Sequence, residues 1–350
     1  DLSFDDMDTL VSTVRAGLDL TSGRLPEFSF EASHELYQRL FSGLEDDLKR
    51  HKHILYVPAA GMESIPLSVL TTRAPTSKTT NANAAWLTKT HAVTRLPTIG
   101  SLKAARLFAG PSAGADPLKG FGDPVLNGDG NSLRGLKIVK LYKGQTANTD
   151  AVRALPALPE TTTELKQIAQ LLGANDNDLY LREAATETAV KTNDLSSSRV
   201  IAFATHGLVA GDLKHLAEPA LVLTPPQKET PEDDGLLTAS EITQLKLDAD
   251  WIILSACNTA AADTPGAGGL SGLARAFVYA GARSLLVSHW PVETNAAHRL
   301  TTGLFDALKA NDNITKAEAL RQSMLALANT KGFEHPALWA PFSVVGASSR

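Results

Sequence analysis

The chain has 350 residues, of which 43% are hydrophobic, and it carries a formal net charge of −5. This length allows one large domain or two ordinary ones, and the mild negative charge gives no reason to expect nucleic acid or an anionic membrane as a partner. A single cysteine excludes an internal disulfide and a multi-thiolate metal site, and no apolar run approaches the roughly 20 residues that span a bilayer.

The first part of the chain is irregular in pattern. Residues 1–30 are acidic and poorly periodic, so we expect a linker or a remnant of a preceding region, and they show no signal-peptide pattern. From 33 to 50 the apolar residues recur at helical spacing, which predicts one amphipathic helix with Ser33 as its N-cap. Short strands are predicted at 54–58, 92–96 and 107–110. Residues 111–133 are rich in Gly, Pro and Asp and are predicted to be a long loop or insertion.

The second half alternates regularly between two kinds of pattern. Helical periodicity predicts helices at 158–172, 186–193, 238–245, 269–280, 294–309 and 316–329. Short apolar runs predict strands at 179–181, 200–205, 221–223, 251–256, 284–289 and 342–345. Strands that alternate with helices favour an α/β fold with a mostly parallel sheet.

Two of the predicted strands end in side chains that can do chemistry. The run 200–205 leads directly into His206 and Gly207, and the run 251–256 leads into Cys257. The carboxyl ends of parallel strands form the edge where ligands bind in open α/β sheets. Taken alone, Cys257 reads as a buried small hydrophobe and His206 as a structural residue. Together they are the minimum set for a cysteine nucleophile with its base.

Four motifs, in this order and spacing, resemble the CHAT domain, a caspase-like peptidase domain often found after tetratricopeptide repeats. They read VIAFATHG, DGLLTASEI, WIILSACNTA and GLARAFVYAGARSLLVSHWPV. The resemblance implies a caspase-like, three-layer α/β fold with a mostly parallel sheet flanked by helices. It places the catalytic subdomain at 155–350 and a smaller, pseudo-protease-like N-terminal subdomain at 31–154.

The same resemblance implies a cysteine endopeptidase that acts through a thioester. Cys257 would attack the peptide carbonyl and His206 would take and return the proton. The backbone N–H groups of Gly207 and Cys257 would form the oxyanion hole. This clan requires no third, orienting residue, and Thr205 is the nearest candidate for one.

The resemblance also implies that three further residues contact substrate. Asp234 either marks a turn before the helix near 238 or lines the peptide cleft. Trp290 either offers a face to a substrate side chain or packs in the core. The family often has two acids where Glu293 and Thr294 stand, so the single acid Glu293 puts selectivity for Arg or Lys in doubt. His289 replaces the usual Leu, either as a second titrating group or as a buried substitution.

The resemblance and the composition also lead to expectations about partners and location. We expect a protein or peptide substrate and an N-terminal regulatory module or activating partner. We expect no nucleic acid, membrane, cofactor or metal, since Asp123, Asn127 and Asp129 lack the spacing of a calcium loop. A lone free thiol favours a cytoplasmic location. The alternatives are a catalytically silent caspase-fold scaffold and a different thiol hydrolase that acts on small amides or esters.

Overall fold

The computed structural model describes residues 4–20, 22–59, 61–108, 112–128, 142–143, 146–208, 218–256 and 272–346. The α-helices are α1 (Phe4–Ala16), α2 (Phe30–Phe41), α3 (Glu45–Arg50), α4 (Ile99–Phe108), α5 (Thr149–Arg153), α6 (Glu160–Leu172), α7 (Glu187–Thr192), α8 (Ala239–Ile242), α9 (Gly272–Ala280), α10 (Thr294–Ala310), α11 (Lys316–Ala328) and α12 (Pro336–Trp339). The strands are β1 (His53–Tyr56), β2 (Ala92–Arg95), β3 (Asp116–Pro124), β4 (Tyr142–Lys143), β5 (Thr146–Ala147), β6 (Leu179–Arg182), β7 (Ser198–Ala204), β8 (Gly207–Leu208), β9 (Ala220–Val222), β10 (Leu236–Thr238), β11 (Trp251–Leu254), β12 (Ser284–Ser288) and β13 (Phe342–Gly346).

The main sheet has eight strands in the order β1-β2-β13-β12-β11-β7-β3-β6. Every neighbouring pair is parallel except β12 and β13. The five strands from β12 to β6 therefore run in one direction, and their carboxyl ends share one edge of the sheet. We call this the carboxyl edge.

Helices cover both faces of the sheet. Because alternate residues of a strand point to opposite faces, Ala202 and Ile253 join a core with α1, α2, α6, α10 and α11. Phe203 and Ile252 join a second core with α7, α8 and α9. The predicted class, an α/β fold with a mostly parallel sheet flanked by helices, is confirmed. None of the described helices is both long and apolar enough to cross a membrane.

A second, three-stranded sheet in the order β10-β9-β8 follows the end of β7. Both of its strand pairs are antiparallel. Its apolar residues form a third core with the segments that precede α6. The members of this core are Leu126, Ala147, Val152, Leu155, Leu208, Ala220, Val222 and Leu236.

The loop predicted at 111–133 is wrong in its first half, because β3 lies between β7 and β6 inside the main sheet. The glycines that indicated a loop are needed for close packing. A Cβ on Gly120 would lie 2.7 Å from Leu179 Cδ2, and one on Gly122 would lie 2.6 Å from Leu165 Cδ1. Residues 129–133 lie outside the described part of the chain.

Two further element predictions are corrected. The single helix at 33–50 is two helices, α2 and α3, separated at Gly43, which has a φ of +82°. Its N-cap is Ser29, whereas Ser33 is buried and its hydroxyl donates to the Val69 carbonyl. The strand predicted at 107–110 is wrong at 107–108, which end helix α4, and 109–110 lie outside the described residues.

The N-terminal segment contributes to the main core, and the predicted domain boundary crosses the main sheet. Within residues 1–30, α1 buries Val11 and Val14 in the main core. The predicted boundary between 154 and 155 passes between strands of one sheet, because β3 from the first part pairs with β7 and β6 from the second. The division into subdomains stays a prediction.

Lys316 is a buried cation at the opposite edge of the main sheet. It is 6% exposed, and its Nζ donates to the Asp250 carbonyl and to Ser284 Oγ, both at 3.0 Å. Burial lowers the pKa of Lys316 to about 8 from an ordinary value of 10.5. The unfolded chain therefore holds this proton over a pH range in which the folded chain has released it, so stability rises with pH across that range.

We expect the free energy of unfolding to rise by about 2–3 kcal/mol from about pH 7 to pH 10, relative to the variant Lys316→Met. Lys309→Met, which changes an exposed lysine, should leave the pH dependence of the wild type unchanged. Urea unfolding across this pH range measures the difference. Parallel curves for wild type and Lys316→Met would contradict the assignment.

Candidate active site at the carboxyl edge

His206 stands where the two sheets meet. It lies two residues beyond the end of β7 and is 1% exposed. Its carbonyl accepts the Val222 N–H at 2.9 Å, and the hydroxyl of the preceding Thr205 donates to the Val222 carbonyl. Thr205 therefore fixes the backbone beside His206 rather than the imidazole ring.

The imidazole of His206 is oriented by a backbone carbonyl. Its Nε2 lies 2.8 Å from the carbonyl oxygen of Pro156. A carbonyl can only accept a hydrogen bond, so Nε2 carries the proton in the neutral ring and Nδ1 is the basic nitrogen. The sequence suggested Thr205 as the residue that orients the ring. It could not indicate Pro156, because every residue has a backbone carbonyl and no residue type marks this one.

The carbonyl of Pro156 is held in place by a close approach of two backbone segments. The Gly128 N–H donates to the Leu155 carbonyl at 2.9 Å, and the Ala157 N–H donates back to the Gly128 carbonyl at 3.3 Å. A Cβ on Gly128 would lie 2.2 Å from the Ala154 carbonyl oxygen. Only glycine allows this contact without a shift of the backbone.

Gly128→Ala is therefore expected to move the Pro156 carbonyl away from His206 and to reduce kcat/KM of the activity proposed below by about 10- to 100-fold, since misplacement by about 1 Å can cost that much. Gly100→Ala is the control, because its Cβ would meet only Thr98 Oγ1, at 3.7 Å. Peptide hydrolysis measured beside thermal unfolding separates an altered site from a lost fold. Unchanged kcat/KM in a folded Gly128→Ala protein would refute a role for this carbonyl.

Gly207 begins the edge strand β8 of the small sheet. It pairs with Leu221, and the ladder bond runs from the Val222 N–H to the His206 carbonyl. In an antiparallel ladder this makes Gly207 and Leu221 a non-hydrogen-bonded pair, whose own N–H groups point away from the partner strand. The Gly207 N–H is thus directed to the outer side of β8.

Cys257 lies outside the described residues, which end before it at Ala256. β11, which leads to it, is parallel to β7, with Leu254 level with Phe203. The Ser255 N–H continues this ladder by donating to the Phe203 carbonyl at 2.9 Å, and Ser288 Oγ donates to the Ala256 carbonyl. The backbone that leads to the cysteine is therefore bonded to β7 on one side and to the end of β12 on the other.

Asp234 lies in the turn before β10 and is half-buried. Its carboxylate accepts the Ala147 N–H at 2.5 Å and the Leu236 N–H at 3.1 Å. Burial raises the pKa of Asp234 above its ordinary value, while these backbone donors oppose the rise. Asp234 was predicted either to mark a turn or to line the cleft, and these hydrogen bonds fit the first role.

Trp290 and Glu293 follow β12 but are engaged in the fold. Trp290 is fully buried, its Nε1 donates to the Ala337 carbonyl at 2.8 Å, and the Arg15 guanidinium lies 5.4 Å from its ring centroid. The Glu293 carboxylate caps α10 by accepting the N–H groups of Asn295 at 3.1 Å and Ala296 at 2.8 Å. Contact between Trp290 and a substrate would require its ring to become exposed.

His289 is buried beside them. Its Nε2 lies 2.8 Å from Ser343 Oγ. Burial, followed by the charges of Arg95 and Arg15, holds the pKa of His289 well below its ordinary value. This is the environment of a neutral, packed side chain rather than of a second proton carrier.

In the described residues, no group of three His, Cys, Asp or Glu side chains could hold a metal ion.

Fold and site together define an α/β protein with an oriented histidine at the carboxyl edge of a mostly parallel sheet. The family model of the CHAT domain matches residues 31–347. The chain belongs to the CHAT domain family, as its four sequence motifs predicted.

Curated relatives match a shorter part of the chain. Tetratricopeptide repeat protein 28 from Mus musculus is 34% identical over 116 residues, which are 32% of this chain and 4% of that protein. The Homo sapiens protein of the same name is 33% identical over 121 residues, which are 33% of this chain and 5% of that protein. The chain therefore aligns with only a small fraction of the length of these relatives.

Solved structures cover more of the chain at lower identity. The Arg specific cysteine proteinase gingipain R is 11% identical, covers 99% of this chain and 74% of its own, and gives a TM-score of 0.49. Separase in the Saccharomyces cerevisiae separase-securin complex is 13% identical, covers 91% of this chain and 17% of its own, and gives a TM-score of 0.47. Neither likeness bears on activity.

Proposed function

We propose that this chain is a cysteine endopeptidase in which Cys257 is the nucleophile and His206 is its base. The observation that carries the proposal is the Pro156 carbonyl bonded to His206 Nε2, because it leaves Nδ1 as the atom that can take a thiol proton. His206 and Cys257 each lie three positions beyond the paired residues Phe203 and Leu254. Neighbouring strands are about 4.8 Å apart, so a continued register would bring the two side chains within reach of each other.

The reaction then proceeds in two halves. The Cys257 thiol gives its proton to His206 Nδ1, and the thiolate attacks the scissile carbonyl. The Gly207 and Cys257 N–H groups stabilise the oxyanion, where one such donor contributes about 2.7–4 kcal/mol. The imidazolium protonates the leaving amine, a thioester remains on Cys257, and water activated by His206 hydrolyses it.

Selectivity and regulation are part of the same proposal. The Glu293 carboxylate is engaged at the N-terminus of α10, so we expect no strict requirement for Arg or Lys before the cut. Relatives named as tetratricopeptide repeat proteins support control by a repeat module or a bound partner. We place the domain in the cytoplasm on the ground of its single free thiol.

The alternative is a catalytically silent scaffold, and the near-complete burial of His206 favours it. Cleavage of a diverse peptide library, by the chain alone and with a candidate activating partner, decides between them. The proposal expects cuts at one or few sequences together with a covalent adduct between Cys257 and a peptidyl acyloxymethyl ketone. Adduct-free protein in every preparation supports the scaffold. Turnover of small esters without any peptide cleavage supports a different thiol hydrolase.

A further inference from the structure

Glu187 is a buried acid that none of the preceding assignments uses. It is the first residue of α7 and is 1% exposed. Its Oε1 accepts three consecutive backbone N–H groups, from Asp234 at 2.7 Å, Gly235 at 2.6 Å and Leu236 at 3.1 Å. Its Oε2 accepts Lys191 Nζ at 2.8 Å. One carboxylate thus ties the turn before β10 to helix α7.

The turn that Glu187 holds is closely joined to the hairpin of β9 and β10. Gly235 has a φ of +92°, and a Cβ there would lie 2.8 Å from Pro225 Cβ. The Gly235 carbonyl accepts the Leu223 N–H at 2.8 Å, which closes the hairpin of β9 and β10. Both sides of the turn are therefore fixed by hydrogen bonds.

The hairpin connects the turn to the histidine. Leu236 pairs with Val222 across β10 and β9. Val222 in turn donates its N–H to the His206 carbonyl and accepts the Thr205 hydroxyl. Two adjacent rungs of one small sheet thus separate the Glu187 carboxylate from the backbone that carries His206 and Gly207.

We infer that Glu187 is a positioning residue of the proposed reaction, whose carboxylate, through the hairpin of β9 and β10, sets the placement of His206 and Gly207. This inference rests on the proposed function. It assigns to Glu187 no contact with substrate or with the reacting atoms.

The charges around Glu187 make this support sensitive to pH. Lys191 bridges Glu187 and Glu241, and Asp234 and Asp233 lie in the turn that Glu187 holds. Burial raises the pKa of Glu187 to about 7 and the charge of Glu241 adds to the rise, whereas Lys191 and the Asp234 N–H oppose it. Hydrogen bonds to a charged acceptor are stronger than those to a neutral one, so the turn is held more tightly above this pKa than below it.

The test is the variant Glu187→Gln, whose amide oxygen can still accept from the turn but carries no charge at any pH. We expect its kcat/KM for peptide hydrolysis to be about tenfold below wild type near pH 8, with the difference closing near pH 6. Glu183→Gln, an exposed acid close to Glu187 in the sequence, is the control and should follow the wild type. An equal loss at every pH would mean a structural role alone and would overturn the inference.

A second variant and a second measurement test the inference without relying on the activity of Glu187→Gln alone. Lys191→Met removes the cation that lowers the pKa of Glu187, so the acid limb of the wild-type profile should move to higher pH. Amide hydrogen exchange in 218–224 and 234–238 should be faster in Glu187→Gln than in wild type near pH 8, whether or not the chain cleaves peptides. Unchanged exchange there overturns the inference. Faster exchange in a chain that cleaves nothing supports the link from Glu187 to the hairpin and refutes only the proposed function.

Discussion

Cys257→Ala is expected to abolish peptide cleavage and to leave the melting temperature close to that of the wild type. The chain has one cysteine, so no second thiol can replace the nucleophile. Removal of a nucleophile costs about 10⁶-fold in kcat where the catalytic residues act as a unit. Peptide turnover measured by mass spectrometry, with thermal unfolding of the same preparation, gives both numbers.

Cys257→Ser is the matched variant because it keeps the size and polarity of the side chain. A hydroxyl is a far weaker nucleophile than a thiolate at neutral pH, so we expect this variant to be inactive as well. Cleavage that survives in either variant, and is not removed by further purification, would rule out Cys257 as the nucleophile.

His206→Ala is expected to lower kcat/KM by about 10²- to 10⁴-fold, the usual contribution of a positioned general acid and base. The loss should not add to that of Cys257→Ala, because residues that act on one proton transfer are strongly non-additive. Hydrolysis of the preferred library peptide by the two single variants and the double variant measures this.

His51→Ala is the control for His206→Ala, since His51 is exposed at the end of α3. His206→Ala also removes a donor to the Pro156 carbonyl, which costs about 1–3 kcal/mol of stability when the acceptor stays buried. Activity is therefore compared at a temperature at which both variants are folded. A folded His206→Ala protein with half the wild-type kcat/KM would contradict its role as base.

The parts of the fold that could be predicted are those in which local pattern and burial agree. The strands β7 and β11 read as short apolar runs because both of their faces are covered, and α10 and α11 show helical periodicity. β3 was missed because Gly120 and Gly122 read as loop residues, although they allow Leu165 and Ala204 to approach the strand. Glycines needed for tertiary contacts cannot be told from glycines of a turn before the contact is known.

The candidate site also contains residues that could be predicted from the sequence and others that could not. His206, Gly207 and Cys257 could be selected from the sequence because their residue types carry chemistry and follow predicted strands. The Pro156 carbonyl could not, since a backbone group has no residue signature and its position depends on a contact with Gly128. Asp234, Trp290 and Glu293 were selected because the family resemblance places them at the peptide cleft. Asp234 bonds to Ala147 and Trp290 bonds to Ala337, which are partners that only the tertiary fold brings close, whereas Glu293 caps α10 within its own segment.

The most direct measurement of the central claim is the rate of Cys257 alkylation by iodoacetamide between about pH 5 and pH 9, on either side of the ordinary thiol pKa of about 8.5. In a preparation that cleaves peptide, we predict labelling near neutral pH that is faster than for a free thiol, with most of the excess lost in His206→Ala. A profile that follows a free thiol and is the same with and without His206 would show that the two side chains do not work as a pair.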